Sequence, residues 1–179
     1  MFSINTTEKF ELIVIFDNND SKEELLGITE IEQTLENVNL KLYIKESECP
    51  NVVFVECETN CIEAAKQIKK TPSKMISRIV PINSVLKSNF EDIISKIREL
   101  CLQILESGDT FNIICEVMKN TELTEQQISN VVKSELRDIN LKFDDENPKW
   151  VIYIGVIGEN TGISILKSNV FNLLLYQEK

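Results

Sequence analysis

Short β-rich apolar runs and stretches of helically spaced apolar positions alternate along the chain. Phe10 to Phe16 (FELIVIF) is a dense run closed by Asp17, Asn18, Asn19 and Asp20, which reads as a buried strand followed by a turn. From Ser21 to Asn37, Leu25, Leu26, Ile31 and Leu35 recur at roughly helical spacing behind a capping-box-like Asp20 and Glu23, predicting a helix. Asn39 to Glu46 alternates Leu40, Leu42 and Ile44 with polar positions, and Asn51 to Cys57 is a second β-rich run after the Cys49-Pro50 break. Asn60 with Glu63 opens a short helix through Lys70, and Met75 to Ile82 resumes strand character.

After Pro81 the period changes. Ser88 and Glu91 form an S-x-x-E start for a helix with Phe90, Ile93, Ile94, Ile97, Leu100, Cys101, Ile104 and Leu105 on one face, and Gly108 stands where a C-terminal cap is expected. Thr110 to Val117 reads as a strand. Thr124 with Gln127 starts a further helix to about Arg137, and Leu123 and Ile128 are spaced as a hydrophobic staple across its first turn. Trp150 to Ile157 and Ile163 to Leu166 are strand runs separated by a loop of Gly158, Glu159, Asn160, Thr161 and Gly162. The expected fold class is therefore α+β: a βαββαβ, ferredoxin-like domain over residues 1–83, followed by an α/β domain over 84–179.

The 179 residues carry 19 Lys and Arg against 29 Asp and Glu, a net charge of −10. Such a chain is repelled by nucleic acid and anionic membrane unless its cations are segregated. The absence of histidine excludes a Ser/His/Asp or Cys/His nucleophile pair and any histidine metal ligand. The five glycines are too scattered for a dinucleotide or phosphate-loop fingerprint. The start MFSINTTEKF lacks the basic and apolar regions of a secretory signal, and no run reaches the length of a membrane span, so a cytoplasmic location is expected. Cys49, Cys57, Cys61, Cys101 and Cys115 are odd in number and sit among apolar residues, the pattern of free buried thiols. The acidic run Asp144, Asp145, Glu146 reads as solvated loop charge, and neither it nor the cysteines are assigned a metal.

The cations are segregated. From Ala64 to Phe90 there are six, Lys66, Lys69, Lys70, Lys74, Arg78 and Lys87, and no acid, as an electrostatic RNA footprint requires. Lys66, Lys69 and Lys70 read equally well as the solvated face of a short helix. Lys74, Arg78 and Lys87 flank the Pro81 junction, where a cleft between domains can hold a phosphate. Lys119, Lys133 and Arg137 extend the candidate surface or serve as solubilising charge. Phe111, Trp150 and Tyr153 sit within or beside apolar runs, which favours core packing over base stacking.

The string RIVPINSVLKSNFEDIISKIRELCLQIL (Arg78 to Leu105), then GDTFNI (Gly108 to Ile113), then ENPKWVIYIGVIG (Glu146 to Gly158) resembles a THUMP domain over about residues 76–167, and the segment before it resembles the ferredoxin-like domain that often precedes THUMP. The resemblance implies tRNA binding and partnership with a tRNA-modifying enzyme. With only twelve residues after 167, the fused catalytic domains of other THUMP proteins are not expected in this sequence. The layout is similar to the adaptors of the tRNA cytidine acetyltransferase that makes N4-acetylcytidine, which implies a non-catalytic chain without cofactor whose partners are tRNA and that enzyme, not DNA or a membrane. A protein-interaction module with little RNA affinity of its own is the alternative. The family's strand after Gly-Asp-Thr-Phe commonly carries several cations, whereas here Ile114 to Met118 precede a single Lys119.

Overall fold

The computed structural model describes residues 9–17, 28–29, 31–33, 42–58, 60–70 and 75–175. Strands β1 (Leu12–Phe16), β2 (Leu42–Glu46), β3 (Val52–Cys57) and β4 (Ile76–Pro81) form one sheet in the order β2-β3-β1-β4, every neighbour antiparallel. Helix α1 (Cys61–Lys70) connects β3 to β4. Of the expected helix over 21–37, residues 28–29 and 31–33 are helical and the rest lie outside the described residues, as do Asn39 to Lys41 at the start of the expected second strand. This is the ferredoxin-like arrangement.

The second sheet has the order β5-β9-β8-β6-β7, from β5 (Ser84–Lys87), β6 (Thr110–Met118), β7 (Lys142–Phe143), β8 (Trp150–Ile157) and β9 (Asn160–Lys167). Helix α2 (Phe90–Ile104) connects β5 to β6. Strands β6 and β8 run parallel, joined through α3 (Glu125–Asp138) and β7, and β8 and β9 close as an antiparallel hairpin. A short helix, α4 (Ser168–Leu173), then brings Leu174 and Leu175 against β4: the Ile79 amide donates to the Leu174 carbonyl, and Leu175 bridges to Arg78.

Alternation along each strand builds a four-layer molecule, helix, sheet, sheet, helices. In β1, Leu12, Val14 and Phe16 pack with Ala64, Ala65 and Ile68 of α1, while Ile13 and Ile15 turn the other way. In β8, Ile152, Ile154 and Val156 pack under α2 and α3, while Val151, Tyr153 and Ile157 join Ile13, Ile15, Val52, Phe54 and Val80 in an apolar layer between the sheets. Both central strands are buried on both faces, which explains their nearly unbroken apolar sequences.

Several sequence expectations need correction. Helix α2 is capped by Asn89, whose side chain accepts from the Asp92 amide, not by Ser88, whose hydroxyl pairs with Thr161 at 2.8 Å. It ends at Ile104, so Gly108 is not its cap; Gly108, at φ +88, turns the loop into β6 and donates its amide to Asn140. The loop expected over 158–162 is a tight turn at Gly158 and Glu159, because β9 already begins at Asn160. Strands β5 and β7 are too short to carry a periodicity signal. The cap of α3 is as expected: Thr124 accepts from the Gln127 amide, and Leu123 and Ile128 are buried in one cluster.

Candidate nucleic-acid interface

One open cleft of about 550 Å³ lies where the two sheets meet. Glu48 enters it from the β2–β3 loop, Lys87 and Ser88 from the end of β5, Lys119 to Glu122 from the β6–α3 loop, and Gly158 and Glu159 from the β8–β9 turn. The wall is fixed by backbone bonds: Gly158 donates to the Met118 carbonyl (2.8 Å), Ser88 to the Glu159 carbonyl (2.9 Å), and the Asn120 amide side chain to the Gly158 carbonyl (3.1 Å). Lys119 sits in the left-handed region at φ +53, which bends the chain out of β6, and is exposed. No ion-pair partner is found for Lys87 or Lys119 among the described residues.

The other candidate cations are placed differently. Arg78, on β4, does not line this cleft; it points into the seam between the sheets, where its guanidinium pairs with Glu116 on β6 and lies 6.0 Å from the Tyr153 ring centre. Glu116 also accepts a 2.7 Å hydrogen bond from the Tyr153 hydroxyl. Burial pushes that fully enclosed phenol up, against the opposing influence of Arg78, so it stays a neutral donor. Lys66 pairs with Glu63 on the surface of α1, Lys69 is half-buried beside it, and Lys70 is exposed at its end. Lys74 lies outside the described residues. On the far side of the second sheet, Lys133 of α3 rests 4.0 Å from the centre of the Phe143 ring, and Arg137 is exposed one turn later. The structure thus brings Lys87 and Lys119 into one cleft, and leaves Arg78, the α1 lysines and the α3 pair at three other places.

Two sets of residues singled out by sequence prove architectural. Asp109, of the Gly-Asp-Thr-Phe string, accepts from the Glu106 amide (2.9 Å), the Lys149 ammonium (3.1 Å) and the Trp150 indole (3.0 Å). Foremost the Glu106 amide, then Lys149 and Trp150, hold its carboxyl below the usual range. The two distant strings thus meet as one latch across β6 and β8. Phe111 and Tyr153 are fully buried, and Trp150 is half-buried with Lys167 5.9 Å from its ring centre. All five thiols are free. Burial pushes Cys57, Cys101 and Cys115 up to about 12 and raises Cys49 and Cys61 as well, the reverse of what an activated nucleophile needs. Asp144 is held in its loop by accepting from the Glu146 and Asn147 amides, each at 3.0 Å. Among the described residues no group of three Cys, Asp or Glu is arranged to hold a metal, and no helix is long and apolar enough to cross a membrane.

Sequence reasoning missed Glu48 and the Gly155–Gly162 pair. Gly155 and Gly162 stand opposite each other on β8 and β9. A Cβ at Gly155 would lie 2.9 Å from the Tyr153 ring, and one at Gly162 would lie 2.9 Å from Ile13 Cδ1 and 3.1 Å from Ile82 Cδ1. Two glycines inside strongly apolar strands are the signal that a neighbouring surface approaches closely.

The model of the THUMP domain matches residues 87–166, from the last residue of β5 to the penultimate residue of β9. The chain carries a THUMP domain. THUMP is an RNA-binding module associated with tRNA-modifying enzymes. The match begins eleven residues later than the expected 76, so Arg78 belongs to the preceding sheet. No curated protein matches the sequence significantly. Among solved structures, the chain is similar to PH1313 from Pyrococcus horikoshii, at TM-score 0.71 and 18% identity, over 87% of this chain and 53% of that one. It is also similar to TrmN from Thermus thermophilus, at TM-score 0.58 and 13% identity over 86% and 44%, and to a 4-thiouridine synthetase solved with RNA and ATP, at 0.56 and 14% over 88% and 41%. At these identities the likeness is one of fold, and the chain spans about half or less of each structure's length.

Proposed function

We propose that this protein is a non-catalytic tRNA-binding adaptor for a tRNA-modifying enzyme, with the cytidine acetyltransferase that makes N4-acetylcytidine as the partner and the cytoplasm as the site of action. The observation that carries the reading is the convergence of Lys87 and Lys119, neither with an ion-pair partner among the described residues, in a cleft at the edge of a THUMP domain. Phosphate contacts supply most of the affinity of such a module, and two free ammonium groups on a bonded backbone wall are suited to them. The change of sheet between β4 and β5 supports a division into functional units at 83/84. Lys66, Lys69, Lys70 and Lys74 add a long-range field along α1 and beyond it, and Lys133 with Arg137 a second, more distant contact; Arg78 contributes through the seam. Support for an adaptor over an enzyme comes from the lack of histidine and from thiols whose burial disfavours the thiolate.

The test is binding of unmodified tRNA across a salt series from about 50 to 200 mM, with Lys87→Glu and Lys119→Glu alongside. The expected result is affinity that falls steeply with salt in the wild type, and a salt slope smaller by about one for each lost phosphate contact. Arg78, engaged by Glu116, and the net charge of −10 favour the second reading, a protein-interaction module with little RNA affinity. Co-purification with the acetyltransferase and no tRNA binding even at the lowest salt would establish that reading in place of the first.

A further inference from the structure

Glu48 reaches from the first sheet into the lysine-bearing cleft of the second. Its Oε2 accepts a 3.0 Å hydrogen bond from the Glu159 backbone amide. The carboxylate packs against Gly158, in the space that a Cβ there would need. Gly158 takes φ +61, which aims the following amide into the cleft, and the turn is fixed from both sides by Met118, Asn120 and Ser88. A rigid backbone donor facing an oxyanion, with Lys87 and Lys119 lining the same space, is the donor set of an anion seat. Glu48 makes no ion pair with either lysine, and its residue is exposed. It is therefore held by one hydrogen bond at a wet surface, where water competes and the tie is readily exchanged.

We infer that Glu48 is a built-in placeholder for an RNA backbone phosphate: its carboxylate occupies the Glu159 amide beside Lys87 and Lys119 until a phosphate displaces it. The inference rests on the tRNA-binding reading above and adds a regulated seat to it. A phosphodiester oxygen takes the same donor with the same single charge, and the two lysines, too distant to pair with Glu48, are open to the phosphate's second non-bridging oxygen and to its neighbours along the chain. The displaced Glu48 side chain turns to solvent from its surface loop. Glu48, Glu122 and Glu159 line the cleft against Lys87 and Lys119, so swinging Glu48 out to solvent brings the remaining lining from a formal −1 to charge balance and opens it to a multiply charged polymer.

Binding of tRNA by the full chain and by Glu48→Gln tests this, with Glu106→Gln as a control that removes the same charge from beyond the opposite end of α2. Glu48→Gln should bind about five- to tenfold tighter than wild type at fixed salt, and Glu106→Gln should stay within about twofold, since long-range charge effects are screened over that distance. The double variant Glu48→Gln/Lys119→Glu should lose the gain. Equal small effects of Glu48→Gln and Glu106→Gln, or weaker binding by Glu48→Gln, would overturn the placeholder role. If Lys87→Glu and Lys119→Glu still weakened binding in that case, the tRNA-binding reading would stand without it. Absence of tRNA binding by both wild type and Glu48→Gln would overturn both. Inorganic phosphate is the second probe: raising the melting temperature of Glu48→Gln while leaving its tRNA affinity at the wild-type value would assign the seat to free phosphate and overturn the RNA inference.

Discussion

Arg78 and Glu116 pair across the seam between the two sheets, one from β4 and the other from β6, and the same carboxylate takes the Tyr153 hydroxyl at 2.7 Å. Both charged side chains are largely covered, at 22% and 24% exposure. Breaking such a pair leaves an uncompensated charge in a low-dielectric seam. Arg78→Met and Glu116→Gln are each expected to destabilise the fold by about 2 kcal/mol, less than for a fully buried pair because water reaches part of the site. The exchange Arg78→Glu with Glu116→Arg should recover a good part of that loss in chemical denaturation. It also separates two roles for Arg78. An arginine acting through the seam tolerates the exchange with tRNA affinity kept, whereas one that contacts phosphate loses affinity in the exchanged protein.

The Asp109 latch gives a pH prediction. Its folded carboxyl lies below its ordinary value, chiefly because the Glu106 amide bonds the ionised form, with Lys149 and Trp150 adding to it. A depressed folded value means stability that is fully present above the unfolded carboxylate range, about 3.9, and is lost as pH falls through the folded value. Asp109→Asn should therefore cost about 1–3 kcal/mol at neutral pH, with the gap to wild type closing below about pH 4. The single Trp150, whose indole donates to Asp109, reports the transition by its fluorescence.

Much of the fold was legible in the sequence because the strong signals are local. Asn60, Thr124 and the Leu123–Ile128 staple act within one turn, and β1 and β8 are buried on both faces, so their runs stand out. Ser88 misled because Asn89, one residue later, has the same capping chemistry and lies in the extended conformation that a cap needs. Arg78 and Glu48 illustrate what a linear reading does not reach. Their partners, Glu116 and the Glu159 amide, are 38 and 111 residues away and become neighbours only when the sheets stack. A run of cations marks a field, but which cation stays free depends on those distant acids.

The close approach of the sheets can be tested at Gly162. An alanine Cβ would meet Ile13 Cδ1 at 2.9 Å and Ile82 Cδ1 at 3.1 Å, in a layer where neither side can move freely. Gly162→Ala should cost about 1–3 kcal/mol through overpacking. Ile13→Val, which removes the offending methyl and alone costs about 1 kcal/mol, should be less harmful in the Gly162→Ala background than in the wild type. A double-mutant cycle by denaturant unfolding measures that coupling; additivity would mean that the sheets do not touch there.

The cysteines provide the sharpest contrast between a folded module and a thiol enzyme. Cys101 belongs to the core under α2 and α3, Cys115 is partly buried against it, and Cys57 belongs to the core under α1. Burial is the largest influence on each, pushing all three up to about 12, and the nearby carboxylates of Glu11 at Cys57 and Glu125 at Cys115 push in the same direction. At pH 8 the thiolate fraction of each is then about one in ten thousand, from the four-unit gap between pH and thiol value. Cys49 is also raised, since burial outweighs the opposing charge of Lys119. In the native protein an aromatic disulfide reagent at pH 8 should therefore label these thiols only at the rate of opening, and all five should react at once in denaturant. One thiol that reacts in the native state within seconds would assign a nucleophilic role to that cysteine and argue against a purely RNA-positioning chain.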